Sequence, residues 1–149
     1  MGKTNGRTLR AVRDYLERHK VFPMHLNPVV REVAHKVLDS FERKILIEPL
    51  EYLEFIAVMD GTHYIMTDFG GVQEEAPSLG KPTLVLRDTT ERPEAIEAGT
   101  AKLVGTKYDE VIKYMELLEG ELYQQMSKAN NPYGDGKTSQ RIREYLQSI

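Results

Sequence analysis

Between Tyr64 and Arg92 the chain runs through an apolar stretch, a glycine pair, a helical segment, a second apolar stretch and a polar loop. Tyr64-Ile65-Met66 ends at Thr67-Asp68, and Gly70-Gly71 follows at once. Val72 to Leu79 has helical character, Gly80-Lys81-Pro82 stops it, and Thr83-Leu84-Val85-Leu86 leads into Arg87 to Arg92. This is strand, tight turn, helix, strand, loop. Glycine at such a turn lets the backbone come close to a ligand. The N–H groups opening the helix then face that ligand, with the positive end of the helix dipole behind them. Such a turn suits a phosphate. A tight strand-to-helix connection that binds nothing also needs glycine, so both readings of the pair stand.

The same rhythm extends along the chain. Leu9, Val12 and Leu16 fall at helical spacing with Arg10, Arg13, Asp14 and Glu17 opposite, which predicts an amphipathic helix over 7–19. Val21 to Leu26 reads as a strand closed by Asn27-Pro28, and Val29 to Phe41 as a helix. Lys44 to Pro49 is the second strand, and Leu50 to Met59 a helix with Leu53, Ile56 and Ala57 inward. Tyr64 to Asp68, Thr83 to Arg87 and Ala101 to Gly105 are the third, fourth and fifth strands. Strand starts recur roughly every 20 residues with helices between, which predicts βα units and a parallel sheet covered on both faces. Ligands of such sheets sit outside the carboxyl ends of the strands, where Thr67–Gly71 and Arg87–Arg92 both fall. The last third reads as helix: Tyr108 to Leu118, a short helix around Leu122 and Met126, and Lys137 to Ile149. In that last helix Ile142, Tyr145, Leu146 and Ile149 form the expected buried stripe.

With 149 residues and 40% apolar content, residues 1–149 are expected to form one domain with a single core. A net charge of −3 argues against nucleic acid and anionic membranes as partners. Cysteine is absent, which excludes disulfides and thiolate metal sites and fits a cytoplasmic protein. No apolar run reaches the ~20 residues that span a membrane, and Met1 to Gly6 lacks the apolar region of a secretory leader. Gly2-Lys3-Thr4 and Gly136-Lys137-Thr138 end like a phosphate-binding loop but lack its upstream glycine. The four histidines show no metal-ligand spacing.

The string TDFGG, QEEAPSLGKP, LVLRDTTERPEA and EAGT over Thr67 to Thr100 resembles the non-hydrolysing UDP-N-acetylglucosamine 2-epimerases, in their C-terminal, nucleotide-binding half. Further matches are His25-Leu26-Asn27-Pro28, Glu48-Pro49-Leu50-Glu51-Tyr52 and Asn131-Pro132-Tyr133-Gly134-Asp135-Gly136. The resemblance implies an α/β fold: a three-layer, Rossmann-like parallel sheet with helices on both faces, like the C-terminal domain of a GT-B-type fold. It implies interconversion of UDP-GlcNAc and UDP-ManNAc by elimination and re-addition of UDP, with no nicotinamide and no required metal. It also implies UDP or a UDP-sugar as partner. Most of the family's acid and base groups come from an N-terminal portion outside this sequence, so the chain alone is expected to be inactive.

By this resemblance Gly70 and Gly71 hold the UDP diphosphate, Glu75 the ribose hydroxyls, Arg92 the phosphates or sugar, and Phe55 lies beside the uracil. His25 matches a residue linked to a second, regulatory UDP-GlcNAc site. Each has a plainer reading: Glu75 as an acid stabilised by the helix dipole, Arg92 as a loop arginine paired with Glu91 or Glu94, Phe55 as core, His25 as a hydrogen-bonded strand end. Glu74 is expected to be solvated. Thr89 and Thr90 either donate to the sugar or hold their loop by local turns.

Two departures from the family stand out. Phe69 occupies the position of a serine that holds the diphosphate. Losing one hydrogen bond to a charged group costs ~1.5–3 kcal/mol, so UDP affinity is expected to fall at least about tenfold. The family strand that precedes the first helix is also absent. In a sheet of order 3-2-1-4-5-6 that strand is central, so the remaining strands must close up or borrow one. The short link Arg18-His19-Lys20 favours exchange of an element between protomers. The expectation is a rearranged or domain-swapped sheet, a homodimer, and a truncated or engineered half whose alternative role is a structural scaffold with its phosphate site blocked by Phe69.

Overall fold

A computed structural model describes residues 6–15 and 18–149. In chain order the elements are α1 (Gly6–Asp14), β1 (Lys20–Pro23), α2 (Pro28–Leu38), β2 (Lys44–Ile47), α3 (Tyr52–Asp60), β3 (Ile65–Thr67) and α4 (Gly70–Glu75). A 3-10 turn (Ala76–Leu79) continues α4. Then come β4 (Thr83–Val85), α5 (Pro93–Glu97), β5 (Ala101–Leu103), α6 (Tyr108–Leu117), α7 (Glu121–Ser127) and α8 (Thr138–Ser148). Met1 to Asn5, with Gly2-Lys3-Thr4, lie outside the described residues, as do the inward Leu16 and outward Glu17 expected on the first helix.

The local chemistry explains the boundaries. Asn27 caps α2 by accepting from the Val29 N–H at 2.9 Å, and Pro28 takes the first helical position, where no N–H is needed. The Glu54 carboxylate accepts from the Glu51 N–H at 3.2 Å, closing the start of α3. Gly80 ends the α4 segment at φ +63°, a left-handed conformation that a side chain disfavours. One element has no counterpart in the expected order: α5 lies in the Arg-Pro-Glu-Ala stretch. Its signal is Pro93 at the first helical position with Glu94 in the first turn.

All strand pairs are parallel, and they form two sheets. β1 pairs with β2, Val21 opposite Ile45. β3 pairs with β4, Met66 opposite Leu84, and β4 with β5, Leu84 opposite Lys102. In the expected order β1 and β2 hold the second and third places and β3–β5 the fourth to sixth. No described strand holds the first place, and β1 and β3 are not paired. The described strands have therefore not closed up into one sheet but form two short ones.

The main core lies on the three-stranded sheet, where Leu84, Val104, Val111, Met115, Leu118 and Met126 cluster. A smaller cluster, Leu9, Val37 and Leu38, lies on the two-stranded sheet. Helix α1 serves both, with Leu9 in one cluster and Ala11 in the other.

Two burial expectations fail. Ile142, Tyr145, Leu146 and Ile149 are all exposed, and α8 buries no residue. Arg141 makes a two-pronged ion pair with Asp135 in the preceding loop (2.8 and 2.7 Å), and no described element covers the apolar stripe. On α3, Leu53 is 79% exposed and Ala57 is exposed, while Met59 is buried and Phe55 and Ile56 are half-buried. The segment is apolar nearly all round, so periodicity could not mark its inner face.

Candidate functional site

The turns after β3 and β4 lie at the carboxyl edge of the three-stranded sheet. After β3 the Thr67 hydroxyl accepts from the Phe69 N–H at 3.0 Å, which bends the chain into α4. Asp68 is exposed, and the hydroxyl of its neighbour Thr67 makes the contact. Phe69 is extended (φ −103°, ψ 132°) and Gly70 and Gly71 open the helix. Their N–H groups, being in the first turn, have no intrahelical acceptor.

The Phe69 ring stands 67% exposed and lies against Gly71. A Cβ on Gly71 would come within 2.7 Å of Phe69 Cε1, so glycine there lets the ring fold back over the turn. The ring covers one face of the turn and otherwise faces solvent; it is not packed into a pocket.

Arg92 reaches the same turn, its Cζ 4.0 Å from where a Gly70 Cβ would sit. Its Nε donates to the Glu74 carboxylate and its Nη1 to the Glu91 carbonyl at 3.0 Å. The hydrogen bond it donates to Glu74 raises the Arg92 pKa above its usual value. The arginine is therefore paired, with Glu74 rather than with the carboxylate of Glu91 or Glu94, and Glu74 is not merely solvated. Glu91 pairs through its carboxylate with Arg87 at 3.5 Å. The Thr90 hydroxyl accepts from the Arg92 N–H at 3.1 Å, the local turn expected for this loop, and donates to Gln73 Oε1 at 2.8 Å.

Glu75 lines an open cleft of about 480 Å³ between α3, α4 and the 131–136 loop, with Tyr52, Leu53, Ile56, Glu74 and Tyr133. Phe69, Gly70, Gly71 and Arg92 are not in its wall. Glu74 belongs to both places, ion-paired to Arg92 and lining the cleft. Phe55 sits half-buried on α3 outside the cleft. Asn131 ties the loop down, donating from Nδ2 to Ser78 Oγ at 3.0 Å, and its Oδ1 accepts from the Tyr133 N–H at 3.0 Å. Burial raises the Tyr133 pKa, and its hydroxyl is buried without a hydrogen-bond partner among the described residues.

His25 follows β1, apart in sequence from the Gly70-Gly71 turn, and its Nδ1 accepts from the Asn27 N–H at 3.1 Å. That is the structural hydrogen bond weighed against a ligand role. His63 stacks on Tyr123 with ring centroids 4.0 Å apart, and burial lowers its pKa. No group of three or more His, Cys, Asp or Glu among the described residues is arranged to hold a metal ion. No described helix is long and apolar enough to cross a membrane.

Gln73 and Glu74 are the residues that sequence reasoning missed. The available signal was position: Gln73 lies one turn after Phe69 and beside Val72 and Ala76, both buried.

Comparison with solved proteins sets this geometry in a class. The chain superposes over 99% of its length on 41% of a Listeria monocytogenes structure described as a putative UDP-N-acetylglucosamine 2-epimerase, with TM-score 0.91 and 46% identity. It also superposes in full on 44% of the chain in the S. aureus MnaA–UDP co-structure, with TM-score 0.89 and 48% identity. The fold is the α/β type of these epimerases, with parallel sheets flanked by helices. At the sequence level, the UDP-N-acetylglucosamine 2-epimerase family model matches residues 3–147. The Bacillus subtilis UDP-N-acetylglucosamine 2-epimerase is 54% identical over 139 residues, covering 92% of this chain. The chain belongs to the UDP-N-acetylglucosamine 2-epimerase family. It spans 37% of the length of the B. subtilis relative.

Proposed function

We propose that this chain is the UDP-binding portion of a UDP-GlcNAc 2-epimerase, able to hold the nucleotide weakly and unable to turn it over alone. The turn amides of Gly70 and Gly71 take the diphosphate, Arg92 contributes charge beside them, Glu75 takes the ribose hydroxyls and Phe55 flanks the uracil. The observation that carries this reading is Arg92 beside the glycine turn at the end of β3, in a chain that overlays a UDP-bound relative. Turnover needs acid and base groups placed at the sugar. The groups gathered here are an ion-paired arginine and carboxylates on a cleft wall, so the purified chain converts no UDP-GlcNAc. Residues 1–149 form one nucleotide-binding domain, cytoplasmic and homodimeric.

The Phe69 ring against Gly71 favours one second reading, a scaffold module whose phosphate site is covered. Calorimetric titration of UDP into the wild-type chain and Phe69→Ser, with mass measured by light scattering, separates the two. A covered but intact site gains at least about tenfold in affinity on restoring the hydroxyl. No gain, with a clean dimer mass, favours the scaffold.

A further inference from the structure

Gln73 is 1% exposed. A buried primary amide carries a desolvation cost that an apolar side chain of similar length avoids, unless the amide is hydrogen-bonded. Its bonds run across the edge of the sheet. Nε2 donates to the Phe69 carbonyl at 3.5 Å, a long bond, and Oε1 accepts from Thr90 Oγ1 at 2.8 Å. Thr90 has one hydroxyl proton, given to Gln73, and its lone pairs receive the Arg92 N–H at 3.1 Å. A continuous line of hydrogen bonds thus runs from the residue before Gly70-Gly71 to the backbone of Arg92, joining the turns after β3 and β4.

The Arg92–Glu74 ion pair spans the same two turns but serves this purpose poorly. Its side chains are 36% and 43% exposed, and exposed pairs contribute little. The buried amide does not have that weakness.

We propose that Gln73 is a positioning residue: through Thr90 it fixes the 88–92 loop against the Gly70-Gly71 turn, so that turn amides and the Arg92 guanidinium address one anion. This rests on reading the edge as a diphosphate site, and the test separates the two claims. Thr90→Val keeps the side chain's shape and removes the hydroxyl; Gln73→Met keeps length and removes the amide; Thr90→Ser restores the hydroxyl. All are made in the full chain and examined by 15N relaxation, thermal unfolding and UDP titration.

The expected result is that Thr90→Val and Gln73→Met lower the amide order parameters of Gly70 and Gly71 from about 0.85 to below about 0.6. Leu84 and Val111 stay rigid, UDP binds about tenfold more weakly, and Thr90→Ser behaves as wild type. The proposal is overturned if the variants lower only the unfolding temperature while Gly70 and Gly71 stay rigid, or if Thr90→Ser is as loose as Thr90→Val. A wild-type chain that binds no UDP overturns the nucleotide reading alone, because relaxation still decides whether Gln73 holds the turn. Should Gln73→Met fail to fold, the Thr90 pair gives the same decision.

Discussion

The two sheets are built from the same kind of βα unit, yet they differ in what they bury. Every residue of β4 is buried, and Leu84 at its centre has no exposed surface. No residue of β1 or β2 is fully buried. The difference follows from strand count. β4 has a neighbour on each side and so reads as a continuous apolar strand; a two-stranded sheet consists of edges only. Burial, and hence stability, therefore concentrates on the side that also carries the Gly70-Gly71 turn.

Substitutions can break that contrast. The largest loss is expected for Leu84→Ala, about 4 kcal/mol in urea unfolding, because a fully enclosed site cannot collapse around the missing atoms. Val37→Ala in the smaller cluster, 8% exposed, is expected to cost about 1.5 kcal/mol at roughly 0.8 per methylene. Equal losses would mean that the two halves share one core through α1. A shallower effect is expected with acid. Burial, with Arg18 adding to it, lowers the His63 pKa below 6.5, so the fold favours the neutral ring. Its contribution is fully present above pH 6.5 and is lost as pH falls through the lowered value. His63→Gln should flatten the melting temperature between pH 7.5 and 5. The smallest change is expected for Ile142→Ser with Leu146→Ser, within ~0.5 kcal/mol, since neither residue is buried. A large loss there would show that something covers α8 in solution.

Much of this molecule was legible because local chemistry is written locally. Asn27-Pro28 announces α2, Gly80 closes the α4 segment, and the five strands fall where apolar runs meet turn residues. The glycine turn and Arg92 were readable as words of a family. What could not be read depends on distant parts of the chain. The stripe on α8 has the spacing of a buried face, but burial needs a partner, and spacing does not supply one. Gln73 looks like any polar helix residue until the turn bearing Thr90 is brought against it. Glu74 becomes an ion pair only because β3 and β4 are neighbours.

The division into two sheets also bears on how this protein behaves at high concentration. One five-stranded sheet has two rims; a pair and a triplet have four. Each rim is a row of backbone donors and acceptors able to recruit an extended strand from another molecule. β1 carries the usual deterrents, Lys20 at its start and Pro23 at its end, the latter with no N–H to offer. β3, Ile65-Met66-Thr67, carries neither. With Lys44 on β2 and Lys102 on β5, β3 is the described edge strand that carries neither deterrent, and its rim lies a few residues before the glycine turn.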